Sequence, residues 1–311
     1  MKKTVAVVGA GLVGSGWGIV FARANYHTRL FDPSASVRDG ILPWAERSLG
    51  DLAEAGLIEN PADVLSRLTV TDTLEEALDG ASYIQESVFE TVEAKKKVSL
   101  AIDAVMQPSA VVGSSSSGIP ASRFTEGCRN RGRFLIAHPV NPPHLVPVVE
   151  LVPAPWTDAD ATIAARDLMQ AVGQAPVTLT REIDGFILNR LQGALLMEAW
   201  ALYHDGYASL ADIDATISHG LGLRWSFMGP FETIDLNAPG GISDYASRLG
   251  PMYAGQVRHP PPGPWAAETV ARAETERRAA IAAGDLAKRR DWRDRMLTRL
   301  AAFKKDAGLG T

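Results

Sequence analysis

The run Val5-Ala-Val-Val-Gly-Ala-Gly-Leu-Val-Gly14 constrains the fold of this chain more than any other feature. Four apolar residues break into glycines at positions 9, 11 and 14, and a plausible helix continues through Trp17, Val20 and Phe21. Such a strand, turn and helix suit a dinucleotide. Its pyrophosphate must come close to backbone N–H groups at a helix N-terminus, here those of Leu12 and Val13, and a Cβ would obstruct both the turn and the approach. A second apolar run, Thr28-Arg-Leu-Phe, ends in Asp32, where a carboxylate can accept hydrogen bonds from ribose hydroxyls and repel a 2′-phosphate. The expected cofactor is therefore NAD rather than NADP. Met1-Lys-Lys before an apolar stretch also suggests a secretory leader, but the glycines cut the stretch shorter than a leader's apolar core.

Composition narrows the class. The chain has 311 residues, enough for two domains of ordinary size, and lacks the run of about 18 apolar residues needed to span a membrane. A formal net charge of −5 argues against nucleic acid as a partner. A single cysteine, Cys128, forms no internal disulfide and fits a reducing, cytoplasmic location. With six scattered histidines and no CxxC or HExxH pattern, no metal site is expected.

Further strands are expected at residues 81–86, 110–113, 134–137, 148–152 and 176–180, alternating at first with helical stretches. From Phe186 the apolar spacing becomes helical and strand-like alternation does not clearly return. The fold class is thus α/β: a Rossmann-type, doubly wound parallel sheet followed by an all-helical C-terminal domain. The expected boundary is Asp184-Gly185, giving domains 1–184 and 185–311. Ser209-Leu-Ala-Asp212 has a capping-box arrangement, and His259-Pro-Pro-Pro-Gly-Pro264 is the clearest linker or stiff loop. In the tail, Trp292, Met296, Leu300 and Phe303 are spaced to pack on one side of a helix whose basic residues face solvent.

Glu150 is anomalous, because it interrupts the apolar run Val146-Pro-Val-Val-Glu-Leu-Val152. A carboxylate there is costly to bury without a partner. His138, at the end of the preceding strand candidate, is the nearest good one; on a neighbouring strand, Glu150 would fix its tautomer and stabilise its protonated form. The alternative is that His138 merely caps a strand and Glu150 pairs with an arginine.

Ser114-Ser-Ser-Ser117, Ala137-His-Pro-Val-Asn-Pro142, Val149-Glu-Leu-Val152, Asp184-Gly-Phe-Ile-Leu-Asn-Arg-Leu191 and Met228-Gly-Pro-Phe-Glu232 occur in the order seen in the 3-hydroxyacyl-CoA dehydrogenase superfamily. The chain resembles that superfamily up to about Asn237, and within it looks most like the lambda-crystallin, or L-gulonate 3-dehydrogenase, branch. The resemblance implies that His138 is the general base, Glu150 its orienting carboxylate, and Ser117 and Asn189 the hydrogen-bonding partners of the reacting oxygen. It also makes Ser87, Glu90 and Lys95 candidates for the nicotinamide half of NAD. This chain departs from the common Glu-Ala pattern by having Glu86-Ser87.

Substrate choice falls to the second domain. Acyl-CoA dehydrogenases of the superfamily have a short, largely uncharged segment before Met-Gly-Pro-Phe, whereas this chain has Gly222-Leu-Arg-Trp-Ser-Phe227. Arg224, with Asn237, is therefore expected to bind a small substrate's carboxylate; the alternative is that Arg224 pairs with Glu232 or a subunit contact. Three readings follow: an NAD-dependent dehydrogenase of a small 3-hydroxy acid such as L-gulonate, an L-3-hydroxyacyl-CoA or L-carnitine dehydrogenase, or a crystallin-like structural NAD-binding protein. The resemblance also implies a homodimer built through the helical domain.

Overall fold

The computed structural model describes residues 4–239, 241–256, 268, 271–272, 275, 278–279 and 281–308. The proline-rich segment His259–Pro264 lies outside them. Eight strands form one sheet: β1 (Thr4–Val8), β2 (His27–Phe31), β3 (Leu68–Val70), β4 (Tyr83–Glu86), β5 (Val111–Ser114), β6 (Phe134–Pro139), β7 (Val148–Pro153) and β8 (Ala175–Thr178). Their order is β3-β2-β1-β4-β5-β6-β7-β8. The order reverses between β1 and β4, the switch point at which such sheets bind ligands beyond the strands' carboxyl ends.

The sheet is not wholly parallel, as the sequence suggested. β6 and β7 pair antiparallel, while every other neighbouring pair is parallel. The reason is the connection: residues 140–147 are too few for the crossover that a parallel pair requires. Asn141–Pro142 in this loop is a cis peptide. β3 was not anticipated, because three residues are too short for alternation to register.

Helices cover both faces of the sheet. Val5 and Val7 point into one core with Trp17, Phe21, Leu30 and Leu49, while Ala6 and Val8 point into the other with Ile84, Ile102 and Val112. That alternation is the period-two geometry of a strand buried on both sides. Helix α1 (Leu12–Arg23) buries every residue from Gly14 to Ala22. Helix α2 (Ala35–Glu54) buries only Ile41, Ala45, Leu49 and Leu52, one stripe at helical spacing. Short helices α3 (Pro61–Leu65) and α4 (Leu74–Leu78) are capped by Asn60 and Thr73, and α5 (Val92–Val105) by Thr91. α6 (Ser122–Thr125) and α7 (Ala159–Ala171) complete this part.

The chain divides into two compact units, Met1–Asn189 with Trp292–Thr311, and Arg190–Asp291. Leu188 and Asn189, which open α8 (Leu188–His204), stay with the first unit, where Glu150 on β7 accepts the Ile187 and Leu188 N–H groups. The second unit continues with α9 (Leu210–Thr216), where Ser209 Oγ accepts the Asp212 N–H at 3.2 Å. It then holds a π-helical turn (Ile217–Leu221), α10 (Gly222–Trp225), α11 (Pro230–Leu236) and α12 (Gly241–Gln256).

Helix α13 (Leu286–Asp306) returns to the first unit, where Lys305 Nζ donates to Gly56 O at 3.1 Å. The expectation for this helix is overturned. Arg295 and Arg299 share a cleft with Asp51 and Glu54 of α2, and Thr298 is the buried residue. Of the four apolar residues expected to pack on one side, Trp292, Leu300 and Phe303 are exposed and Met296 is half-buried.

Candidate active site

The glycine turn is built as a cradle. Gly9 has φ +89°, and a Cβ on it would lie 2.7 Å from the Ser87 carbonyl; a Cβ on Gly14 would lie 1.9 Å from Gly9 O. These two glycines answer to the chain itself. A Cβ on Gly11 would meet nothing within 4 Å of the chain itself, so the N-terminus of α1 is left open at this point. Gly11 is the N-cap of α1, no side chain caps that end, and no acid occupies the first turn. Uncapped N–H groups and the positive end of the helix dipole fit a pyrophosphate there. At the end of β2, Asp32 Oδ2 accepts the Ala10 N–H at 3.0 Å and Oδ1 the Ser34 N–H at 2.9 Å. The carboxylate is thereby locked beside the glycine turn with acceptor capacity left for ribose hydroxyls.

The four serines that end β5 and follow it divide among three sets of partners. Ser114 Oγ donates to Glu86 Oε2. Ser115 Oγ meets Trp17 Nε1 at 3.2 Å, Gln85 Nε2 at 2.8 Å and Ser87 Oγ at 2.8 Å. Ser116 Oγ donates to Glu90 Oε1 at 2.8 Å, and the same oxygen accepts the Ser117 N–H at 2.8 Å, the Gly118 N–H at 3.2 Å and the Ser117 hydroxyl at 3.3 Å. Burial pushes the Glu90 carboxyl up, but the Lys95 ammonium and these donors outweigh it and hold it below the usual carboxylate range. Lys95 is fully buried, with Nζ 3.2 Å from Glu86 Oε2 and 3.5 Å from Glu90 Oε2. Glu90 and Lys95, expected to meet the cofactor, are thus engaged in holding the serine turn.

His138 and Glu150 face each other in register across β6 and β7. His138 Nδ1 lies 2.8 Å from Glu150 Oε2, and both side chains are buried. Glu150 Oε1 accepts the N–H groups of Ile187 and Leu188 at 2.8 and 2.9 Å. Burial again pushes this carboxyl up, and the hydrogen bonds from His138, Leu188 and Ile187 reverse the sign, so its pKa is lowered. An ionised Glu150 can only accept, so Nδ1 carries a proton, and it is Nε2 that presents the lone pair of the neutral imidazole. Phe186, buried and at φ +50°, sets its ring 5.7 Å from the imidazole. Asn189 Nδ2 donates to Ser117 O at 2.5 Å, which brings these two candidates together. The alternative of an arginine partner for Glu150 is not what the geometry contains.

Arg224 and Asn237 belong to the second unit. Arg224 is exposed on α10 near the Tyr245 hydroxyl, and Asn237 caps the C-terminus of α11 through its backbone N–H. Sequence reasoning passed over Gln85, Ser115 and Tyr83. The signal was present in Gln85, an amide beside Glu86 at the end of the strand candidate Ala81-Ser-Tyr-Ile-Gln-Glu86.

Comparison with known proteins agrees with this geometry. The model for the NAD binding domain of 3-hydroxyacyl-CoA dehydrogenase matches residues 4–183, and that for its C-terminal domain matches residues 185–280. A lambda-crystallin homolog of Bos taurus is 39% identical over 306 residues, 96% of this chain and 95% of its own. An L-carnitine dehydrogenase of Streptomyces coelicolor is 35% identical over 283 residues, 91% and 86% of the two chains. Among solved structures, the NAD+-dependent dismutase 5-formyl-3-hydroxy-2-methylpyridine 4-carboxylic acid 5-dehydrogenase is similar at a TM-score of 0.81 and 25% identity, covering 96% of this chain and 97% of that one. A dinucleotide cradle beside a carboxylate-oriented histidine, together with family matches over both parts of the chain, leads to one assignment: the chain belongs to the 3-hydroxyacyl-CoA dehydrogenase family and is an NAD-dependent dehydrogenase acting on a hydroxyl group.

Proposed function

We propose that the protein oxidises the 3-hydroxyl of a small free hydroxy acid, of the L-gulonate kind, to the 3-keto acid. The observation that carries the chemistry is the 2.8 Å contact of His138 Nδ1 with Glu150, which leaves Nε2 as a base. Nε2 takes the hydroxyl proton, and Glu150 stabilises the imidazolium that forms. Ser117 and Asn189 hydrogen-bond the reacting oxygen as it changes from hydroxyl to carbonyl. The glycine turn with Leu12 and Val13 holds the pyrophosphate, Asp32 the adenosine ribose, and Ser87 and Glu90 border the nicotinamide half, with the buried Lys95 acting through Glu90. When bound, NAD supplies the hydride acceptor that lets the carbon lose hydride while His138 takes the proton. The domain roles follow the same reading: cofactor binding in residues 1–184, substrate binding and dimerisation in 185–311, in the cytoplasm.

The free-acid reading rests on Arg224. A guanidinium pairs bidentately with a carboxylate, which an acyl thioester does not present at that end. The structural relative named for a pyridine carboxylic acid also takes a substrate bearing a free carboxylate. A second reading, oxidation of L-carnitine, is favoured by the 35% identity to the Streptomyces coelicolor enzyme. In either case Arg224→Met should raise KM for the acid roughly tenfold or more with kcat little changed, since a charged hydrogen bond of about 1.5–3 kcal/mol is lost from uniform binding. An unchanged KM in steady-state kinetics would remove Arg224 from the site.

The second unit supports a homodimer. Leu191, Leu223, Phe231 and Leu236 are 63%, 64%, 72% and 66% exposed, a density of bare apolar side chains that a partner surface would relieve. Sedimentation velocity at micromolar concentration should give twice the monomer mass; a monomer would contradict this assembly.

A further inference from the structure

Ser87 stands where the superfamily commonly has alanine, and its surroundings fix what its hydroxyl can do. Tyr83 is buried and burial raises its pKa, so its hydroxyl stays protonated; it donates to Gln85 Oε1 at 2.8 Å. Gly113 makes room for that hydroxyl, since a Cβ there would lie 2.1 Å from it. Gln85 is fully buried, and its amide faces Ala137 O at 3.2 Å. A carbonyl can only accept, so the atom facing it is Nε2, and the amide orientation is settled. The second Nε2 hydrogen goes to Ser115 Oγ. Trp17, also fully buried, gives its only side-chain donor to the same oxygen. Two obligatory donors occupy both lone pairs of Ser115, whose own proton must then go to Ser87 Oγ at 2.8 Å. Ser87 accepts there, and its own proton points elsewhere.

We infer that this chain of hydrogen bonds, from Tyr83 through Gln85 and Ser115, presets Ser87 as an outward O–H donor to an acceptor oxygen on the nicotinamide-side half of bound NAD. The inference rests on Ser87 bordering that half of the cofactor, and the placement favours it. The Ser87 backbone packs against Gly9 of the dinucleotide turn, its N–H is held by Val8 O at 2.7 Å, and its side chain is only partly buried at the end of β4, next to the switch point. The same amide that orders the chain also donates to the carbonyl of Ala137, the residue before His138 on β6.

Calorimetric titration of the full-length protein with NAD and with ADP, in the absence of substrate, tests this. In Ser87→Ala, Kd for NAD should rise roughly threefold to tenfold, the value of one neutral hydrogen bond, while Kd for ADP, which lacks the nicotinamide half, stays within about twofold. An unchanged NAD affinity would overturn the donor role, and an equal loss for NAD and ADP would overturn it in favour of a support for the glycine turn. Because no hydroxy acid is present, either result stands apart from the identity of the substrate.

Discussion

Replacing His138 with alanine should lower kcat for NAD-dependent oxidation about 10²–10⁴-fold, the usual worth of a positioned general base. The affinity for NAD should be unchanged, because the dinucleotide cradle is built from β1, α1 and β2 and has no contact with the imidazole among those described above. On the proposed roles Ser117 and Asn189 would hydrogen-bond the reacting oxygen without taking its proton, so neither would replace the imidazole as base. Single-turnover NADH formation together with NAD titration separates the two effects. Full activity in His138→Ala would require a different base altogether.

Glu150→Gln should cost nearly as much activity while leaving the fold intact, for a reason that lies in the backbone. The Ile187 and Leu188 N–H groups both point at Oε1 and can only donate. They hold the carbonyl oxygen of the new amide, which turns its NH2 toward His138 Nδ1. The imidazole must then accept at Nδ1 and carry its proton on Nε2, the nitrogen that should be empty. A loss of about 10²–10⁴ in kcat follows from the wrong tautomer, by analogy with the serine-protease aspartate. Stability adds a signature. Because the folded pKa of Glu150 is lowered, its carboxylate contributes stability that is fully present above the ordinary carboxylate value of 4.5 and is lost as pH falls through the lowered folded value. Any stability gap between wild type and Glu150→Gln should therefore close in acid, as thermal unfolding over a pH series would show. Wild-type turnover in the glutamine variant would mean that the carboxylate neither sets the tautomer nor supports the charge.

Much of this architecture is legible in the chain because backbone demands leave residue-type signatures. Gly9 and Gly14 are required by the contacts of 2.7 and 1.9 Å that a Cβ would make within the protein. Glu150 announces itself by being charged inside an apolar run, and its register opposite His138 follows from a loop too short to cross over. What stays hidden depends on partners distant in sequence. Nothing in Ser114-Ser-Ser-Ser117 says that one serine serves Glu86, one the Gln85 relay, and two Glu90, because those assignments arise only when β4 and β5 lie side by side. The return of α13 to the first unit is hidden for the same reason: its apolar spacing suggests one face, while the buried residue of the helix is Thr298.

The most direct test of the proposed chemistry is initial-rate NADH formation at about 340 nm, the absorbance of the reduced nicotinamide. Purified protein and NAD would be offered L-gulonate, L-3-hydroxybutyrate, L-carnitine and L-3-hydroxybutyryl-CoA in turn, with His138→Ala as control. The account predicts turnover of a free acid that the control abolishes. Turnover of the CoA thioester alone would contradict it and leave Arg224 without a substrate carboxylate to bind.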